Sequence, residues 1–143
     1  MNFLQMQQFS SLSDCKNDNF ALMEKLFDLT NLKEIGAGDK EFICEMISLF
    51  LQHAPMAIEN LPKKVAAQDW PEVRHIAHKL KPQLIYMGVH AILDEVELIE
   101  QNANKQENLD KIPAMAELTI KHCTIVIEQL KEELKRLQEE TSR

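Results

Sequence analysis

From Asp39 onward, apolar residues recur every three or four positions, the period of one face of an α-helix. Phe42, Met46, Leu49 and Phe50, joined by Ile43 and Ile47, form a stripe broad enough to meet more than one neighbour. Asp39, just ahead of it, is a natural N-cap. Ile58, Leu61 and Val65 continue the period past Pro55 and Pro62, and each proline either kinks this helix or starts a new segment. Asp69 predicts the start of another long helix. Pro71 sits in its first turn, where the missing N–H costs nothing, and Glu72 lies three residues past the cap. This helix is expected to run through Met87 and stop at Gly88.

Val89 to about Asn102 predicts the next helix, with Ile92, Val96 and Ile99 facing inward, and Asn102 to Asn108 reads as a linker. A last helix is expected from about Leu109 to Glu140, with Pro113 in its first turns. Ala116, Thr119, Cys123, Val126, Leu130, Leu134 and Leu137 recur along it at near-heptad spacing. Beyond Leu134 it is expected to project from the bundle, as a coiled-coil stub or a solvated tail. Ahead of Asp39 the pattern is weaker. Phe20, Met23 and Phe27 predict one short helix, Thr30 caps a turn reaching Ile35, and Gly36 and Gly38 break the chain. Residues 1–19 are polar and mixed and read as a flexible arm, leaving 20–140 as a single helical domain.

Composition supports an all-α fold. The 143 residues include only three glycines, too few for the turns of a parallel α/β sheet. The net charge of −7 argues against nucleic acid or an anionic membrane as the main partner. Cys15, Cys44 and Cys123 form neither a CxxC nor a metal-binding spacing and suit a reducing cytosol, with Cys44 and Cys123 in the core. Met1 to Phe9 lacks the basic start and apolar run of a signal peptide, and no window is apolar enough to span a bilayer. A cytoplasmic protein that receives its signal from another protein is therefore expected. Without a GxxxxGK loop there is no sign of ATP chemistry, and without an HExxH pair no metal or intrinsic cofactor is expected.

The candidate chemistry lies on the helix from Asp69 to Met87. At 100° per residue, Val73, Ala77, Leu80, Leu84 and Met87 fall on one narrow seam. His78 falls to one side of it, with Arg74, Lys81, Pro82 and Ile85, so an exposed imidazole beside two cations is predicted. A neutral imidazole is a good nucleophile near pH 7, and cations one turn away offset the charge of a phosphoryl group placed on it. Spacing alone is equally met by a solvated histidine among surface cations. His75 lies one turn before His78, whereas His53, His90 and His122 read as incidental.

The run Ala77-His78-Lys79-Leu80-Lys81-Pro82, with Gly88 ten residues after the histidine, resembles the signature of histidine-containing phosphotransfer (HPt) domains. Leu29-Thr30 with Leu32, Ile35 and Gly38-Asp39, the stretch Phe42 to Phe50 followed by Pro55, and Asp69-Trp70 extend the resemblance over about residues 27 to 135. It implies a four-helix bundle with short additional N-terminal helices and a long C-terminal helix. It further implies a phosphorelay intermediate, with His78 as phosphoacceptor and Lys81 as the family's neighbouring lysine. The partners would be response-regulator receiver domains, with a hybrid sensor histidine kinase as a further candidate. Mg²⁺ and the acidic pocket would come from the receiver. A docking surface with its apolar centre at Pro82, Ile85 and Met87 is expected, on a monomer rather than a dimer.

Two positions depart from the family pattern. Pro82 stands where the family has glycine, removing the helix hydrogen bond to the His78 carbonyl and predicting a local bend. Glu100 stands where some members place a glutamine that hydrogen-bonds the imidazole. It either accepts the Nδ1 proton, leaving Nε2 as nucleophile, or points away into solvent. These departures keep open a module of the same fold that binds a receiver or kinase without transfer. A structural helical protein dimerising through its last helix is the third reading.

Overall fold

The computed structural model describes residues 24–141, which form α1 (Thr30–Ile35), α2 (Lys40–Ala66), α3 (Trp70–Tyr86), α4 (Leu93–Lys105), a 3-10 turn (Leu109–Lys111) and α5 (Ile112–Thr141). The N-terminal arm lies outside the described residues. Helices α2 to α5 pack in a closed ring: α2 on α3, α3 on α4, α4 on α5 and α5 back on α2. Short connections make each consecutive pair antiparallel, the economical arrangement for a four-helix bundle.

The predicted caps explain where the helices begin. The Asp39 side chain accepts from the Glu41 N–H at 3.0 Å, and Asp69 accepts from the Glu72 N–H at 3.4 Å. α2 continues unbroken through Pro55 and Pro62. Its buried side is Ile43, Ile47, Phe50, Ala54 and Leu61, whereas Leu49, predicted as part of the stripe, is 43% exposed. Leu49 lies two positions past Ile47 and so a half-turn off that face. Cys123 is fully buried, and Cys44 only partly so.

Three boundaries differ from the sequence reading. α4 starts at Leu93 rather than Val89, because Val89 and Ile92 are buried within the turn from α3. It ends at Lys105 rather than Asn102, where Gln106 turns left-handed and the Glu107 N–H returns to the Asn102 carbonyl. The last helix opens with a 3-10 turn and becomes α-helical at Ile112. Its far end does not project. Leu137 is buried, and Glu140 pairs with Lys40 at the start of α2, 3.1 Å away.

The expected helix over Phe20 to Phe27 is not formed in its described part. Residues 24–29 are non-helical because their backbone groups bond to other elements. The Gln129 side-chain amide on α5 donates to the Glu24 carbonyl and accepts from the Leu26 N–H, both at 2.9 Å. The Asp28 N–H donates to the Met87 carbonyl at 2.9 Å. Phe27 and Leu29 are thereby buried against the bundle. Thr30 does not cap α1. It is the first helical residue, and its N–H donates to the Asp28 carboxylate. Residues Phe20 and Met23 lie outside the described region.

Candidate functional site

α3 presents two faces. Val73, Ala77, Leu80, Leu84 and Met87 are all buried, so the seam read from the sequence is the core seam. His78 lies beside it with its side chain 60% exposed. The register of α3 is held at both ends, by the Asp69 cap and by Gly88. Gly88 has φ +65°, and a Cβ there would stand 2.1 Å from the Asp28 carbonyl oxygen.

Across the α3–α4 interface, Glu100 meets both predicted site residues. Its Oε2 is 2.6 Å from His78 Nδ1, and its Oε1 is 3.1 Å from Lys81 Nζ. The ammonium approaches Oε1 off the line of a good hydrogen bond, as an ion pair. Of the two readings of Glu100, the structure adopts the one facing the imidazole. Burial is the largest single influence on the Glu100 carboxyl and pushes its pKa up. Lys81 and His78 together outweigh it and hold the group below the usual carboxylate range. An ionised carboxylate only accepts hydrogen bonds, so the contact requires the proton on Nδ1 and leaves the Nε2 lone pair free.

On its other side His78 borders a groove of about 850 Å³ between α2 and α3. His75, Lys79, Pro82 and Gln83 contribute from α3, and His53, Met56, Asn60 and Lys64 from α2. His53, which reads from the sequence as incidental, lines this groove. The sequence carried no signal for it, since 25 residues separate it from His78 and only the packing of α2 on α3 brings them to one groove. Arg74 and Ile85 are exposed, as is Pro82, which lies inside a helix that does not break there. Met87 is withdrawn from the expected docking surface: it is 1% exposed and belongs to the core. Among the described residues, no group of three or more His, Cys, Asp or Glu side chains is arranged to hold a metal ion.

A helical bundle with one exposed, carboxylate-held histidine invites comparison with known families. The family model described as the Hpt domain matches residues 45–140, more than half of the chain. The chain belongs to the Hpt domain family. Neither the curated proteins nor the solved structures give a match. Hpt domains take part in phosphorelays and interact with receiver domains and kinases. The matched region of this Hpt domain takes in most of α2, all of α3 and α4, and α5 up to its last residue, and so includes His78, Lys81 and Glu100. No helix among the described residues is long and apolar enough to cross a membrane.

Proposed function

We propose that this Hpt domain is a phosphorelay carrier that accepts a phosphoryl group on His78 Nε2 from a receiver-domain phospho-aspartate and passes it to a second receiver. The observation that carries this reading is the 2.6 Å contact of Glu100 with Nδ1 of an exposed imidazole. With Nδ1 protonated and held, Nε2 attacks phosphorus in line. The Nε2–P bond forms, the P–O bond to the aspartate breaks, and the carboxylate leaves with the bonding pair. The ring gains positive charge as nitrogen becomes four-bonded in the ring system, and Glu100 offsets that charge through the Nδ1 proton. Lys81 keeps Glu100 ionised and adds a cation near the incoming oxygens.

Mg²⁺ and the acidic pocket belong to the receiver, and the carrier needs no cofactor of its own. It works as a cytoplasmic monomer, with a hybrid sensor kinase as a further candidate donor. The test is to mix the protein with a ³²P-labelled receiver and follow acid-labile, base-stable label. Label on the wild type and none on H78A supports the carrier. Tight binding with no label on the wild type overturns it in favour of a module that docks receivers without transfer.

A further inference from the structure

His78 stands between two unlike flanks. Transfer brings the donor's phosphorus within reach of Nε2, so the donor protein must cover ground beside the imidazole. A specific interface takes about 800 Å² from each partner, far more than one side chain offers, and it needs a main footing on one flank.

The first flank is the groove between α2 and α3. Met56 on α2 lines it and is 59% exposed, the most exposed large hydrophobic side chain among the described residues. Pro82, also exposed, lines the same groove. The charged residues lining it are Lys64, Lys79 and Glu72, two cations to one anion, in a chain of net charge −7. The second flank is the α3–α4 edge. Its apolar residue on α3 is Ile85, 43% exposed, one turn past the Lys81 that pairs with Glu100 of α4. α4 carries Asp94, Glu95, Glu97 and Glu100 against Lys105 alone. Asp94 and Glu97 are exposed. A phosphoryl group near pH 7 carries a charge of about −1.5 to −2, so the surface that delivers it is repelled by the acids of α4 and attracted by the lysines of the groove.

We propose that the phosphorylated receiver takes its footing on the α2–α3 groove, with Met56 as its apolar anchor and Lys79 on its charged rim, and not on the α3–α4 edge at Ile85. The inference rests on the phosphotransfer reading and adds to it which residues select the partner. A thioether suits this place, since its flexible chain repacks against the surface presented to it.

M56A, I85A and K79E separate the two footings. All three positions are exposed, so each variant should fold, which circular dichroism checks. KM for the ³²P-labelled receiver and kcat for transfer are measured for each, with H78A as the blank. M56A is expected to raise KM by roughly five- to thirtyfold with kcat unchanged, as loss of a methionine buried on docking would. I85A is expected to stay within about twofold of wild type. K79E is expected to raise KM by roughly three- to tenfold at low salt, with the effect shrinking as salt is added. Wild-type KM in M56A overturns the inference and leaves the carrier reading intact. So does an I85A effect as large as that of M56A, which moves the footing to the α4 edge. A K79E effect that is absent at low salt overturns it too. A wild type that takes no label overturns the carrier reading and this inference with it.

Discussion

Glu100 has its two oxygens committed to two different residues, and its removal should be felt twice. E100A takes away the acceptor that holds the Nδ1 proton. Losing a hydrogen bond to a charged group, about 1.5–3 kcal/mol, should slow phosphotransfer roughly ten- to a hundredfold. E100Q keeps an amide oxygen that accepts from Nδ1 but loses the ion pair to Lys81, so its rate should fall between E100A and wild type. Quench-flow with a labelled receiver measures both. Lys81 lies off the seam that periodicity marks as buried. Its side chain is only 29% exposed, and it faces a buried carboxylate oxygen. K81M should therefore destabilise by about 1–3 kcal/mol in urea unfolding, and not only slow transfer. It should also raise the Glu100 pKa, since burial remains while a cation is lost, and ¹³C NMR of the carboxyl would report it. The sign for stability follows. A depressed folded pKa contributes stability above the usual value of 4.5, and that contribution is lost as pH falls through the lower folded value. The gap between wild-type and K81M urea midpoints should accordingly narrow below about pH 4.5. A gap independent of pH would contradict the ion pair.

At the scale of the element, α3 depends on how its last turn is closed. Gly88 is left-handed and pressed against the backbone of residues 24–29, so a methyl group there meets both penalties. The left-handed conformation alone costs a non-glycine residue about 1–2 kcal/mol, and the Asp28 carbonyl has no side-chain torsion by which to move aside. G88A should lose roughly 2–4 kcal/mol, within the range of severe single substitutions. It should also release the 24–29 segment, raising amide exchange at Leu26 and Asp28. Unchanged exchange at those two amides would show that the segment is held independently of the α3 turn. Gly88 matches the family pattern in the sequence, but its steric reason lies sixty residues away along the chain.

For the whole molecule, the closed ring makes the far end of α5 part of the core. Leu137 is 4% exposed, and Glu140 reaches Lys40. L137A should cost about 2–4 kcal/mol, as truncation of a buried leucine does, by urea or thermal unfolding. A loss under about 0.5 kcal/mol would favour the projecting tail instead. Cys123 reports on the same core. Burial pushes its thiol up to about 12, and the reactive species is the thiolate. Its alkylation, followed by mass spectrometry of its own peptide, should keep pace with unfolding and accelerate in L137A.

The sequence alone determined what depends on one helix at a time. The seam of α3, its Asp69 and Gly88 ends, the exposure of His78 and the cap at Asp39 all follow from periodicity and local chemistry, which act over a few residues. The resemblance around Ala77 to Gly88 pointed to the family, and the matching model over residues 45–140 bears it out. Which way Glu100 faces was left open, because a helical stripe says which side is buried and not which residue stands opposite. The groove shared by His53 and His78, the pinning of residues 24–29 by Gln129 and the return of Glu140 to Lys40 were illegible for the same reason. Each depends on the rotation and height of one helix against another. That relation is set by the packing of all four helices together, and no stretch of the chain encodes it locally.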